Sequence, residues 1–467
     1  MENILNQFLA KYNIEQNNAS NKTLSKLADN TKITEIVKEI FNLESKIITI
    51  FNMYKEKEDF KEHHLVINNA NAKKTYNYYF NLDEFPNIVI TEIKNLDVVG
   101  LYFDQEKNCI HGTPLVSNTI DLQIFFFNKD DENKVNDIKV VPFIVNADPK
   151  DLWLNKPSDP NSKYAKPDDN SIKDSFLDKK IVVASKRGRS HAHDGSFRDD
   201  DFVLRKLQDG WEIIAVADGA GSAKYAREGS RFATDFISKR FNNKELLNTL
   251  SNEIDQYFKG NTIDEENLIT DAEEEKIKVK SSIINILYKE ILTLHQELNK
   301  YANQELISVK DLNTTLIFAL CKKIESGYVV LTFGVGDCPI NVILDDLPTV
   351  KLLNTLDIGE FGGGTRFITM PEIFTKEIAN RFSINKFKNF DKLFLMTDGI
   401  YDPKFITENK LENSETWISF IDDLAGNNED GLKVDFEQDS EIENQLMQWM
   451  NFWSKGNHDD RTLAIIY

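Results

Sequence analysis

The segment WEIIAVADGAGS, residues 211–222, sets a run of apolar residues, interrupted only by Glu212, directly against an Asp-Gly turn. A run of this length centred on Ile and Val reads as a β-strand covered on both faces, and Asp218-Gly219 ends it. The same arrangement recurs through the second half of the chain. YVVLTFGVG is followed by Asp337, KLFLMT by Asp398 and Gly399, Asp459-Asp460 stand ahead of RTLAIIY, and Asp199, Asp200 and Asp201 precede FVLRKL. Each placement alone is an ordinary strand end or turn. Five of them, on strands hydrophobic enough to lie inside one sheet, point to carboxylates with a shared purpose.

Strand ends are rigid, and carboxylates on neighbouring ends can converge on one cleft, where uncompensated like charges repel by several kcal/mol at low effective dielectric. Divalent cations remove that repulsion. Oxygen ligands with few histidines favour hard ions such as Mg²⁺ or Mn²⁺ over zinc or copper. Two such ions about 3.5–4 Å apart can share a water, lower its pKa and clamp the oxygens of a phosphoryl group during in-line attack.

ASKRGRSHAHDGSFRDDDF, AVADGAGS, LNTTLIFAL, FGVGDCPI, LFLMTDGIYD and HDDRTLAIIY follow one another along the chain. In order and approximate spacing they resemble the metal-dependent serine/threonine phosphatases of the PP2C (PPM) family, in its bacterial form, from about residue 177 onward. The resemblance implies an α+β fold, an α-β-β-α sandwich of two antiparallel sheets flanked by helices. It also implies hydrolysis of phosphoserine and phosphothreonine in proteins by a water or hydroxide bridging two Mg²⁺ or Mn²⁺ ions, with a third ion in some members and no phospho-enzyme intermediate.

Carried over residue by residue, Asp218 matches the aspartate of the family's D-G-x-G turn, expected to bridge both metals, with the Gly219 carbonyl completing one coordination sphere. Asp200 matches the last residue of the early E-D or Q-D motif, and Asp199 a position that usually binds through water. Asp398, in Thr397-Asp398-Gly399, matches the S-D-G aspartate. Keeping Thr462 in register with D-N-x-T makes Asp459 the last ligand in preference to Asp460, which stands where Asn is usual. Asp337, in Gly336-Asp337-Cys338, matches the position that binds the third, weaker ion. Asp200, Asp218, Asp398 and Asp459 are thus the expected catalytic set.

The chain departs from the family in two places. Eukaryotic members commonly have D-G-H-G, whose histidine is proposed as the general acid; Ala220 stands there, as in many bacterial members. The family arginine that grips the substrate phosphate lies a few residues before the E-D pair, whereas Gly188-Arg189-Ser190-His191 with Gly195 is closer to a G-x-S-H-x-x-x-G variant. Arg189, His191 and Arg198 are therefore candidate phosphate contacts. His191 and His193 read equally well as solvated loop residues.

The chain has 467 residues, with 76 acidic against 56 basic side chains and a net charge of −20. Coating a nucleic-acid duplex needs a basic surface, as does adhesion to an anionic membrane, so neither partner is expected. No stretch approaches the roughly 20 apolar residues of a membrane span. Cys109, Cys321 and Cys338 form no CxxC pair, and MENILNQFLAKYNIEQ lacks the basic-then-apolar order of an export signal, so a cytoplasmic setting is expected.

Residues 1–65 read as a helical segment. Ile33, Ile36, Val37, Ile40, Phe41, Leu43, Ile47, Ile48 and Phe51 recur at three- and four-residue steps, an amphipathic helix that needs a partner. Residues 66–147 change to short β runs such as TYNYYFNL, NIVITEI, TIDLQIFFF and IKVVPFIV, a small all-β sandwich. Within it Gly100 to Asp104, Ile110 to Pro114 and Ile120 to Ile124 resemble a pattern of bacterial immunoglobulin-like domains. That resemblance implies a spacer or binding module and makes His111 a turn residue. Residues 148–176 hold four of the chain's 11 prolines and read as a linker, leaving 177–467 as the phosphatase-like domain.

Inside that domain Asp209-Gly210 and Ser326-Gly327 fit tight hairpins. Ala226, Gly229, Ser230, Ala233 and Ile237 give a helix a close-packing face, and residues 276–305 form a second, long amphipathic helix. The charged stretch 252–278 reads as a solvated insertion, and Gly359 to Gly364 as either a flap or a plain loop near the cleft.

Two classes of function follow. The first is a phosphatase with a phosphorylated protein substrate, a cognate serine/threonine kinase and a protein partner for the N-terminal half. The second is a pseudophosphatase scaffold or phosphoprotein-binding regulator acting through that half, motivated by the odd early motif, Ala220 and the 176 preceding residues. A nucleotide phosphate cradle at Gly219 to Ser222 fails, since GAGSAK lacks both the G-K-[ST] ending and the G-x-G-x-x-G spacing.

Overall fold

An apolar run whose successive side chains point to opposite faces is stable only with cover on both sides. The computed structural model describes residues 2–259, 269–344, 349–357 and 364–467. The chain forms two units, Met1–Leu152 and Trp153–Tyr467.

The first unit begins with three helices, α1 (Glu2–Lys11), α2 (Asn18–Ala28) and α3 (Thr31–Glu62). Asn17 and Asn30 cap α2 and α3 through their side-chain oxygens, satisfying backbone amides that have no partner inside the helix. Seven strands follow: β1 (Ala70–Asn71), β2 (Tyr76–Tyr79), β3 (Ile88–Lys94), β4 (Leu101–Asp104), β5 (Cys109–Gly112), β6 (Asn118–Asn128) and β7 (Asp137–Asn146). They make a four-stranded sheet in the order β1-β7-β6-β3 and a three-stranded sheet in the order β2-β5-β4. Buried and exposed residues alternate along β7 and much of β6, so Leu122, Ile124, Val141 and Phe143 share a core with Ile90, Leu101 and Ile110. His111 lies within β5 instead of a turn, because Cys109–Gly112 is paired on both sides. Only Val37, Met53, Lys57 and Phe60 of α3 are buried. Most of the apolar face expected to pack is therefore open.

The second unit has strands β8 (Asp169–Phe176), β9 (Lys179–Lys186), β10 (Asp201–Lys206), β11 (Trp211–Ala217), β12 (Leu316–Ile324), β13 (Gly327–Val335), β14 (Ile340–Ile343), β15 (Val350–Leu352), β16 (Phe382–Phe387), β17 (Lys392–Met396) and β18 (Arg461–Ile466). Its helices are α4 (Arg189–Asp194), α5 (Ala226–Phe241), α6 (Lys244–Lys259), α7 (Ile269–Gln304), α8 (Asp398–Phe405), α9 (Ser414–Leu424) and α10 (Ile442–Trp449). One antiparallel sheet runs β10-β11-β12-β13-β16 and the other β15-β14-β17-β18-β9-β8. Along β11, Trp211, Ile213, Ala215 and Ala217 pack with α5, α6 and α7, while Ile214 and Val216 enter the space between the sheets. Along β18, Leu463 and Ile465 join Ile400, Trp417 and Trp449 of α8, α9 and α10, while Ala464 and Ile466 face inward. The result is four layers, helices on sheet on sheet on helices.

Register brings the aspartates to one edge. Asp201 pairs with Ala217, which sets Asp200 beside Asp218. Leu316 pairs with Val335, so Thr315 lies across from Gly336 and Asp337, and Met396 pairs with Leu463, so Asp398 lies across from Arg461, the first residue of β18, next to Asp459 and Asp460. Ile324 pairs with Gly327 in the expected hairpin. Asp209 and Gly210 take φ of 56° and 72°, the left-handed values that such a turn requires.

Other expectations change. Residues 148–176 are not linker throughout, since Asp169–Phe176 forms β8 and pairs with β9. Its polar sequence reads as linker because only Ile172 and Phe176 turn toward the core of this edge strand. The charged stretch 252–278 is helical on either side of 260–268: it ends α6, with Ile254 in the core, and begins α7. Of Gly359 to Gly364, only Gly364 is among the described residues. No described helix is long and apolar enough to cross a membrane.

Candidate functional site

Asp200 ends the loop entering β10 and is 1% exposed. A buried carboxylate needs donors, and two hydroxyls from the opposite sheet supply them. Thr397, at the end of β17, and Thr462, in β18, donate to Asp200 Oδ2 at 2.8 and 2.7 Å. Thr462 N donates to the Thr397 hydroxyl at 2.9 Å, so the two sheets are joined at the point where the aspartates gather. Oδ1 of Asp200 takes no part in these bonds. Lys166, buried, donates to the Asp200 carbonyl at 2.6 Å and to Asp201 Oδ2 at 3.1 Å.

Asp218 follows β11 and is fixed through its backbone. Its amide donates to the Thr315 hydroxyl at 2.9 Å, and its carbonyl accepts from the Thr314 hydroxyl and the Thr315 amide, each at 2.8 Å. The carboxylate is left for the cleft. Asp398, at the start of α8, lies close enough to raise Asp218 by its charge, while a side-chain hydrogen bond between the two acids partly offsets the rise of Asp398. Oδ1 of Asp398 and Oδ1 of Asp337 are buried and have no hydrogen-bond partner; Asp337 Oδ2 accepts from Thr365 at 2.8 Å.

Loop spacing depends on two glycines. A Cβ on Gly399 would stand 1.9 Å from the Asp460 carbonyl oxygen, and one on Gly188 would stand 2.4 Å from the Asp459 carbonyl carbon. Only glycine lets the loops before α4 and after β17 close on the strand entering β18.

Asp459 and Asp460 separate in role. Asp460 is 2% exposed and accepts from the Gly188 amide at 2.6 Å, from the Asp199 amide, and from His191 Nδ1 at 3.0 Å to each oxygen. Its oxygens are committed to holding the loops. Asp459 uses one oxygen for the Asp460 amide at 2.9 Å and is exposed.

The electrostatics follow from burial and crowding. Burial, then neighbouring carboxylates, push Asp199 up to about 6 and Asp200 to about 7. The same two causes place Asp218 and Asp398 well above the usual carboxylate range, and burial chiefly raises Asp337. Burial would raise Asp460 too, but the His191 ring and the Gly188 and Asp199 amides outweigh it and hold that acid below the ordinary range. Burial opposes protonation of His191, yet Asp460, Asp199 and Asp459 together raise it to about 9.

Acids forced upward, with two buried oxygens lacking a donor, are what a cluster built around cations looks like when only its protein groups are counted. Carboxylates of Asp218 and Asp337 lie within 4.8 Å of the Cys338 sulfur, but burial holds that thiol far above its ordinary value, so it stays neutral beside the Thr315 hydroxyl. The donors are then all oxygen, and they fit hard divalent ions. His191, Asp459 and Asp460 also lie within 4.8 Å of one another; with Asp460 saturated and His191 protonated, that group is an ion pair.

Of the candidate phosphate contacts, only His191 faces the cluster, its Nε2 3.8 Å from Asp199 Oδ2. Arg189 turns away, donating to the Asn451 carbonyl at 2.5 Å with its guanidinium over the Trp453 ring. Arg198 is 1% exposed and donates to the Ser185 carbonyl, so a substrate phosphate does not reach it. Lys166 and the Thr397 hydroxyl were not legible as site residues. Their contacts to Asp200 close over sequence separations of 34 and 197 residues, and no local motif announces them.

A family model described as protein phosphatase 2C matches residues 187–450, a span that holds Asp200, Asp218, Asp337 and Asp398 and stops before Asp459. No curated protein matches the chain. Among solved structures, a bacterial serine phosphatase is 16% identical, covering 62% of this chain and 97% of its own, with a TM-score of 0.38. The serine/threonine phosphatase Stp1 from Staphylococcus aureus is 15% identical, covering 62% and 95%, with a TM-score of 0.35. The S. agalactiae serine/threonine phosphatase is 13% identical, covering 62% and 98%, with a TM-score of 0.37. None of these findings supports the immunoglobulin-like resemblance of residues 66–147.

Proposed function

The chain belongs to the protein phosphatase 2C family, and from that premise we propose a metal-dependent protein serine/threonine phosphatase whose centre is the aspartate cluster at the shared edge of the two sheets. The observation that carries the reading is the pair of buried, donor-less oxygens on Asp337 and Asp398, set among acids that burial and mutual repulsion have raised. Asp200, Asp218 with the Gly219 carbonyl, Asp398 and Asp459 would hold two Mg²⁺ or Mn²⁺ ions, with Asp199 through water and Asp337 for a third. Bound ions would supply an activated water and neutralise phosphoryl oxygens.

The chain's own residues fix the geometry for this. Thr397 and Thr462 orient Asp200, Thr314 and Thr315 clamp the Asp218 backbone, and Asp460 ties Gly188, His191 and Asp199 into one frame. His191, protonated at neutral pH, offers a cation to a phosphoryl oxygen at the edge of the cleft. Ala220 offers no proton.

Purified protein should hydrolyse p-nitrophenyl phosphate or a phosphopeptide with Mn²⁺ and lose this with chelator or with Asp218→Asn. Turnover indifferent to metal would sink the mechanism. Metal uptake without turnover on any phosphopeptide would favour the scaffold reading. The wider reading adds a cognate kinase, an immunoglobulin-like docking role for residues 66–147 and, on the usage of cysteine, a cytoplasmic setting.

A further inference from the structure

Eight large apolar side chains of α3 between Ile36 and Tyr54 are each 47–64% exposed. Monomers rarely expose a contiguous apolar patch beyond about 300–600 Å², so this face needs cover. Its C-terminal end is already anchored within its own unit: Lys57 pairs with Asp131 at 3.3 Å and Asp137 at 2.7 Å, and the Phe60 ring packs on Phe85 and Phe126. The open part lies ahead of that anchor.

Its spacing identifies the kind of cover. Ile33, Ile36, Ile40, Leu43, Ile47 and Ile50 follow one another by strict alternation of three and four residues, and Tyr54 continues the step. That is the a/d seam of a coiled coil over about three heptads. A seam of this form is filled by a helix with the same repeat and comparable length. The neighbours α1 and α2 have 10 and 11 residues against 32 in α3, too short to cover it. A second α3 has both the repeat and the length, and self-pairing is the commonest form of assembly.

We propose that α3 pairs antiparallel with α3 of a second copy of this chain. Flanking charges choose the direction. A parallel, in-register pair would set Glu39 beside the partner's Glu44. An antiparallel pair layers Ile33 on the partner's Ile50, Ile36 on the partner's Ile47 and Ile40 on the partner's Leu43, and sets Glu39 beside the partner's Lys46 twice.

Sedimentation velocity on the full chain tests this. The expected species has twice the 53.8 kDa chain mass, and Leu43→Glu with Ile47→Glu, both on exposed positions, returns it to the single-chain mass with an unchanged circular-dichroism spectrum. Glu39→Lys should weaken the dimer by about tenfold, and adding Lys46→Glu should restore it. A single-chain mass at tens of micromolar, a dimer untouched by Leu43→Glu with Ile47→Glu, or a dimer tightened by Glu39→Lys would each overturn the proposal.

Discussion

The imidazole of His191 lies 3.0 Å from both carboxylate oxygens of Asp460, and the same two oxygens hold the Gly188 and Asp199 amides. The family pattern usually has Asn at this position, yet an amide has only one acceptor oxygen, and its NH₂ would face a donor. Asp460→Asn should therefore leave a buried amide unsatisfied and cost about 1–3 kcal/mol of stability. Urea unfolding would measure it. In the same variant the His191 pKa should fall from about 9 toward the ordinary 6.5, followed by NMR titration of the ring.

The metal-free protein should lose stability steadily as pH rises. Asp199 and Asp200 have folded pKa values near 6 and 7, above an unfolded value near 3.9. They bind protons on folding, and stability falls from about pH 4 through 7. His191 is also raised, so its contribution is full below about 6.5 and is lost as pH passes about 9, on the order of 3 kcal/mol at most. Thermal melts in chelator at pH 5, 7 and 9 should show falling midpoints, and His191→Asn should flatten the upper part. A midpoint that rises from 5 to 7 in chelator would contradict the crowding.

What the chain discloses depends on whether a residue's partner is local. The runs of β11, β13, β17 and β18 are legible because both of their faces are buried, so hydrophobicity is continuous and the aspartate at each end stands out. β8 hides because it is an edge strand with two inward side chains. The expectation of Asp459 over Asp460 as a ligand rests on the register of Thr462, whereas the clamp formed by Asp460 has no signal in the sequence, since its partners lie more than 260 residues away. Arg198 looks like a phosphate ligand from its neighbours and is buried in fact; nothing in the local sequence distinguishes an arginine that serves a carbonyl from one that serves a substrate.

Removing one acid from the cluster should help the metal-free fold and harm the loaded one. Asp398 is raised by burial first and then by Asp459, Asp337 and Asp200, and one of its oxygens has no donor. Asp398→Asn relieves that repulsion, which predicts a gain of about 1–2 kcal/mol in chelator. With Mn²⁺ the order should reverse, because the wild type gains stability from binding and the variant gains less. Paired melts with and without metal read both effects, and equal metal-induced shifts in the two proteins would remove Asp398 from the ligand set.

Gly399 tests whether the cleft depends on the closeness of its loops. A Cβ there would meet the Asp460 carbonyl oxygen at 1.9 Å, a backbone atom that cannot swing aside as a side-chain tip would. Gly399→Ala must then part the loop carrying Asp398 from the strand carrying Asp459 and Asp460. The expected result is a loss of about 1–3 kcal/mol together with weaker Mn²⁺ binding, since the carboxylates separate. Gly221 lies in the same turn region as Asp218 but has nothing within 4 Å of its added Cβ, so Gly221→Ala should leave metal affinity unchanged. Calorimetric Mn²⁺ titration of the two variants separates crowding at one position from a general need for glycine around the cleft.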